Sequence, residues 1–344
     1  MIQVVRVTTG ARLHFGLLDV AAPFGGCGVM VDHPETIVEV EPSDQFRLIG
    51  SPRDVERHAD RVRAIAGRLA SLEKSSTESR LPAVQVRLVQ VAPPHTGLGS
   101  GTQLSLAVTE AIVRTLSMSS PEKEGFQERL IHAADRGLRS AVGTYGYFHG
   151  GFLAEGFDAK ASGALNALDV RMPLPDEWCA VVLLPCLDEQ QGATSAEGEI
   201  DDSVCVSGLQ EQQKFDQLPA TRIQRDVLRS ILVDQIVPAI RTAEFGEFAD
   251  AVTAYNRASG ELFASVQGGA YNGPEITAVI EDLIESGQRG VGQSSWGPGV
   301  FAWFEKSDQA VAFCRDWSGH ARRPLMVRPR TQGRSCKVHS RTSG

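Results

Sequence analysis

Pro93-Pro94-His95-Thr96-Gly97-Leu98-Gly99-Ser100-Gly101-Thr102-Gln103 lies between an alternating apolar run, Val84 to Val91, and an amphipathic stretch, Thr102 to Leu116. The alternation predicts a strand, and Leu104, Leu106, Ala107, Ala111 and Leu116 predict a helix. Its glycines open backbone conformations closed to other residues, so successive N–H groups can converge on an anion at the start of that helix. Strand, glycine loop and helix in this order predict a phosphate cradle. The same pattern also fits a tight structural turn, and the rest of the chain must decide between the two readings.

Upstream, residues 1–50 predict short strands: Val4 to Thr8, Arg12 to Leu18, Gly28 to Val31 and Thr36 to Val40. Side chains alternate across a strand, so Arg12 and His14 share one face while Leu13, Phe15 and Leu17 share the other. Val55, Val62, Ile65, Leu69 and Leu72 predict a helix over 54–73, followed by a polar linker to Arg80. Downstream, a second helix is predicted over Gln127 to Leu138. The glycine- and aromatic-rich stretch around Tyr145 suits either a wall for a planar ligand or core packing.

Cys179 to Leu184 reads as a buried strand. Leu187 to Leu218, with Glu197, Glu199, Asp201 and Asp202, reads as a surface loop or lid. Helices follow over Ile223 to Ile240, ending near Pro238, over Glu244 to Phe263 and over Pro274 to Glu285. A glycine-rich turn, 290–299, then precedes an apolar strand from Val300 to Phe304, a short helix and a strand from Pro324 to Val327.

Composition sets outer bounds. The 344 residues are 42% hydrophobic and 22% charged, with a formal net charge of −8, which argues against a general nucleic-acid binder. No acidic residue follows Asp316, so the acidic body ends in a basic tail. The six cysteines show no zinc spacing and read as reduced thiols of a cytoplasmic protein, and neither a secretory signal nor a membrane span is evident. Whether the chain forms a homodimer stays open at this point.

Pro93, Gly97, Leu98, Gly99 and Ser100 match the phosphate loop Pro-x-x-x-Gly-Leu-Gly-Ser-Ser-Ala of the GHMP kinase superfamily, with Gly101 and Thr102 in place of the final Ser-Ala. Kinases of that superfamily tend to carry an Asp base before a Gly-Gly pair, yet residues 140–151 contain no carboxylate. Arg12-Leu13-His14-Phe15-Gly16-Leu17-Leu18-Asp19, the loop from His95 to Gln103, Gln267-Gly268-Gly269 and Gly292-Gln293-Ser294-Ser295-Trp296-Gly297-Pro298 resemble the signature segments of the β-ribofuranosylaminobenzene 5′-phosphate synthase family.

That resemblance implies an α+β, GHMP-kinase-like two-layer fold: a β-rich N-terminal domain (1–175) with the phosphate loop and a helix-rich, ferredoxin-like C-terminal domain (176–330); the basic residues 331–344, which no family motif anchors, read from their charge as a mobile tail. It implies a transferase that condenses phosphoribosyl pyrophosphate with 4-aminobenzoate or 4-hydroxybenzoate, releasing carbon dioxide and pyrophosphate, in methanopterin biosynthesis. Gly97, Leu98, Gly99, Ser100, Gly101, Thr102 and Gln103 are the expected phosphate contacts, and Arg12 and His14 the catalytic candidates. Tyr145, Gln293, Ser294, Ser295 and Trp296 are expected to line the substrate site, with Asp19 and Asp32 as metal contacts for Mg²⁺ bound with the pyrophosphate. An ATP-dependent GHMP kinase and a non-catalytic sensor on the same fold are the alternatives.

Overall fold

The computed structural model describes residues 1–72, 81–116, 125–137, 140–158, 165–186, 218, 222–319 and 322–341. The two predicted opening strands are one, β1 (Ile2–Leu17), and the next two are likewise one, β2 (Gly26–Pro42). They form a long antiparallel hairpin from Val5↔Val40 to Leu17↔Gly26, with register shifts near Gly10 and Phe15. Short β3 (Arg47–Ile49) leads into helix α1 (Pro52–Leu72), and β4 (Val84–Gln90) pairs with β2 and, in parallel, with β3.

Helices α2 (Ser100–Thr115), α3 (Phe126–Ala134) and α4 (Val142–His149) follow. Strands β5 (Phe152–Glu155) and β6 (Leu168–Met172) then add to the β2 side of the sheet. The apolar faces of α1 and α2, with Val62, Ile65, Leu106 and Ile112, cover Val7, Val38, Val40 and Val86 of the sheet in one core. That arrangement follows from amphipathic periodicity: each helix hides one stripe and leaves its charges outside.

The second sheet has the antiparallel order β10 (Arg322–Val327), β7 (Cys179–Pro185), β9 (Val300–Phe304) and β8 (Arg289–Gln293). Between β7 and β8 the chain contributes α5, in which Arg222–Ser230 continues through a π-helical segment, Ile231–Ile236, into Val237–Thr242. Pro238 therefore does not end this helix. The wider π turn before it accommodates a residue that lacks an N–H and crowds a regular α turn. Next come α6 (Phe245–Glu261), α7 (Ala264–Gln267) and α8 (Gly273–Glu285), and α9 (Ser307–Asp316) joins β9 to β10.

The central core joins the two halves. Leu13 and Phe15 of β1 pack with Phe248 of α6 and with Phe301 and Trp303 of β9, all buried. The Phe15 ring lies 5.6 Å from Phe301 and 6.2 Å from Trp303.

The tail corrects one expectation: residues 335–341 are not loose but form β11 (Ser335–Arg341), antiparallel to β1 from Ile2↔Arg341 to Thr8↔Ser335. Two basic residues of this segment, Arg334 and Arg341, have partners in the body. Arg334 places Nε and Nη2 on the buried carboxylate of Glu110 at 2.8 and 2.9 Å, and Arg341 donates to Glu39 at 2.9 Å. The acidic stretch read as a surface loop or lid lies almost wholly outside the described residues.

Candidate functional site

The glycine loop connects β4 to α2; besides His95 at 59°, its positive-φ residues are those the sequence supplies as glycine, Gly97 at 78° and Gly99 at 70°. Both glycines are steeply constrained. A Cβ on Gly97 would lie 2.1 Å from the Ser294 carbonyl oxygen, and Gly99 is the left-handed cap of α2. The N–H groups of Thr102 and Gln103 bond to Gly99 O at 3.1 and 3.2 Å, leaving those of Ser100 and Gly101 at the head of a 16-residue helix with no acidic residue in its first turn. Such a helix end favours an anion.

The loop is fastened to the other half of the chain by Ser294, which is fully buried. Its hydroxyl donates to Gly97 O at 2.8 Å and accepts the His14 N–H at 3.0 Å. Arg12 N–H in turn bonds to Leu98 O at 2.9 Å. One side chain thus ties the phosphate loop, β1 and the β8–β9 turn together.

These three segments border a cleft of about 850 Å³. Among the described residues its charged lining comprises Arg12, Arg57, Arg61 and Arg136 against the single carboxylate of Asp135, an excess of cations inside a protein of formal charge −8. Arg12 and Arg61 flank the loop: a Cβ on Gly99 would sit 3.3 Å from Arg12 Nε, and one on Gly101 3.0 Å from Arg61 Nη1. Burial, then Arg61 nearby, brings the Arg136 pKa down to about 10, and burial also lowers that of Arg61.

His14 is buried beside Arg12, and burial first and that charge second hold its pKa well below the usual imidazole value, so it is neutral at pH 7. Its Nε2 stands 3.3 Å from Ser140 Oγ.

At the opposite end the cleft is aromatic. Trp296 meets Phe263 edge to face at 4.8 Å, and both line the space together with Gln293 and Ser295. Asn256 holds this wall to β1, donating to Phe15 O at 2.7 Å and Gln293 O at 2.8 Å. An anion-binding loop, guanidinium groups and a flat apolar surface therefore share one cavity.

The family model for the C-terminal part of GHMP kinases matches residues 236–322. Two curated relatives are named β-ribofuranosylphenol 5′-phosphate synthase. That of Methanothermobacter thermautotrophicus is 27% identical over 89% of this chain and 90% of its own, and that of Methanocaldococcus jannaschii 24% identical over 87% and 89%. Over most of its length the chain is thus similar to β-ribofuranosylphenol 5′-phosphate synthases, and its C-terminal part matches the GHMP kinase model. Solved structures share the fold. Homoserine kinase from Cytophaga hutchinsonii superposes with a TM-score of 0.57 at 16% identity, covering 97% of both chains. Mevalonate diphosphate decarboxylase from Staphylococcus aureus gives 0.57 at 12%, covering 98% of both.

Within this cleft, the residues singled out in the sequence fall into two groups. Arg12, His14, Gly97, Gly99, Ser100, Gly101, Thr102, Gln293, Ser295 and Trp296 line it, as does Leu98, whose side chain belongs to the central core. Gln103 is turned inward instead: it is fully buried, accepts Thr9 Oγ1 at 2.6 Å and donates to Gly143 O at 2.8 Å. Helical spacing places residue 103 beneath the loop, not beside the ligand. Ser294 is the fastening just described, and the Gln293 side-chain amide is engaged by Asn272 N–H and Ser295 O, each at 2.8 Å. Tyr145 stacks on His149 at 6.3 Å, its hydroxyl bonded to Asn166 O at 2.5 Å, outside the cleft lining.

The expected metal contacts are not brought together. Asp19 lies 3.5 Å from Arg225 and accepts the Ala21 N–H, while Asp32 accepts the Arg328 N–H at 2.8 Å, beside β10. Among the described residues no group of three or more His, Cys, Asp or Glu could hold a metal ion. These side chains do not fit a protein-held Mg²⁺ at the loop.

Sequence reasoning passed over Arg57, His58 and Arg61 of α1 and Arg136 after α3. The only local signal was the spacing of Arg57 and Arg61, one helical turn apart. It also passed over Glu155, fully buried behind Ser140. Glu155 Oε1 accepts the Ala141 N–H at 2.6 Å, Oε2 has no hydrogen-bond partner of good geometry, and burial pushes the pKa up to about 7.

Proposed function

We propose that the protein joins the ribose 5-phosphate of phosphoribosyl pyrophosphate to the carboxylate-bearing carbon of 4-hydroxybenzoate, releasing carbon dioxide and pyrophosphate, as a cytoplasmic step of methanopterin biosynthesis. The observation that carries the reading is the polarity of the cleft, with guanidinium groups and a glycine loop at one end and an aromatic wall at the other. The names of the relatives support the hydroxylated acceptor, since loss of its carboxylate yields a phenol.

Each part answers a need of the chemistry. As the C1′–oxygen bond of the donor breaks, negative charge grows on pyrophosphate, and preorganised N–H groups and guanidinium forks stabilise it there more than in the intact donor. Arg12 suits a phosphate or the acceptor's carboxylate. The acceptor ring lies against Trp296 and Phe263, its C1 aimed at C1′. C1 forms the new carbon–carbon bond, and the C1–carboxylate bond then breaks, its electron pair restoring the aromatic ring. Neutral His14 takes the 4-hydroxyl proton while the ring attacks and returns it afterwards. The described side chains offer no site for Mg²⁺; an ion brought by the donor would be held by phosphate and water oxygens and would supply neutralisation of the leaving group's charge.

Carboxyl-labelled 4-hydroxybenzoate, incubated with the purified protein, the donor and Mg²⁺, is expected to release carbon dioxide and pyrophosphate in equal amounts. ATP-dependent phosphorylation with no carbon dioxide would replace this reading with that of a kinase. Binding of both substrates without turnover would make the protein a sensor.

A further inference from the structure

The cationic end of the cleft extends past the glycine loop. Arg57 and Arg61 project from α1, one turn apart, and Arg136 follows α3; all three line the cleft together with His58. Arg136 is oriented by Ser105 Oγ, to which its Nε and Nη2 donate at 3.3 and 3.1 Å. His58 is only 4% exposed, and its Nε2 has no hydrogen-bond partner.

Three guanidinium groups with one carboxylate among them repel one another, and an unpaired ring nitrogen in a buried site loses its hydrogen bonds to water. A polyanion seated among them relieves both costs. We propose that Arg57, Arg61, Arg136 and His58 form a second anion subsite beside the glycine loop, and that it takes the pyrophosphate end of a phosphoribosyl donor.

The order of groups along the cleft supports this orientation. The Arg61 guanidinium abuts Gly101, while Arg12 abuts Gly99 on the side of His14, Ser294 and the aromatic wall. With the acceptor ring against Trp296, the reacting carbon lies between ring and loop, and the leaving group points towards α1 and α3. The assignment of the donor end rests on the proposed transferase reaction; the anion subsite itself does not.

Calorimetric titration of the full chain with inorganic pyrophosphate, and separately with ribose 5-phosphate, tests it. In an Arg57→Ala/Arg61→Ala variant, pyrophosphate is expected to bind about 10- to 100-fold more weakly, as for loss of charged hydrogen bonds. Ribose 5-phosphate should bind as before, and Arg57→Lys/Arg61→Lys should recover part of the loss. Equal weakening of both ligands would overturn the orientation, and unchanged pyrophosphate affinity would overturn the subsite. A turnover assay separates the two proposals: normal donor KM in the alanine variant removes the subsite and leaves the transferase. An inactive wild type whose pyrophosphate binding depends on the arginines removes the transferase and leaves the subsite.

Discussion

Replacing Glu155 by Gln should flatten part of the pH dependence of stability. The carboxyl is fully buried and its pKa is raised from 4.5 to about 7, principally by burial, with Asn166 and the amides of the 140–142 turn opposing the rise. A raised carboxyl pKa means that the folded state holds its proton more tightly than the unfolded chain does. Stability from this group is full below pH 4.5, is lost as pH rises towards 7 and is level above that. At about 1.4 kcal/mol per pKa unit, the displacement from 4.5 to about 7 corresponds to about 3 kcal/mol.

Gln keeps an oxygen for the Ala141 N–H and carries no charge, so Glu155→Gln should match the wild type near pH 4.5 and exceed it by about 3 kcal/mol at pH 8. Urea unfolding of both proteins across that range measures the difference, in which the titrations of all other groups cancel. Parallel stability curves would refute the argument, because they would mean that Glu155 titrates alike in folded and unfolded chains.

Three further outcomes follow from the same geometry. Arg12→Ala should weaken binding of phosphoribosyl pyrophosphate by about 1.5–3 kcal/mol, the worth of a charged hydrogen bond; unchanged affinity in a folded variant, read by calorimetry, removes Arg12 from the site. Ser294→Ala strands the His14 N–H and the Gly97 carbonyl, and should cost about 2–4 kcal/mol in chemical denaturation, with a raised donor KM. A loss below about 0.5 kcal/mol, as for an ordinary surface change, would show that the hydroxyl is not the fastening. Arg334→Ala leaves the buried Glu110 carboxylate without one of its cations and should destabilise by about 3–5 kcal/mol; wild-type stability would show that the C-terminal segment is not part of the folded sheet.

Local patterns carried much of the reading. Alternation from Arg12 to Leu17 determined that Arg12 and His14 would share a face opposite Leu13 and Phe15, and the structure has both polar residues in the cleft and both apolar ones in the core. The glycines at 97 and 99 marked the turn because a residue without Cβ takes their positive φ angles without strain and, at 97, admits the close approach of Ser294. Amphipathic spacing placed α1, α2, α6 and α8 within a few residues.

Tertiary structure decided what those faces meet. Periodicity reports which side of an element is buried and says nothing of its partner. Hence nothing in the sequence singled out Arg57 and Arg61, some forty residues before the glycine loop, until α1 was packed beside α2. Gln103 and Ser294 looked like ligand contacts because they sit in the signature segments, yet their polar atoms fasten one backbone to another. The basic tail looked loose because Arg334 and Arg341 find their carboxylates, Glu110 and Glu39, more than two hundred positions away in sequence. Glu155 carried no local sign of burial: the turn that encloses its carboxyl is separated from it by the whole of α4.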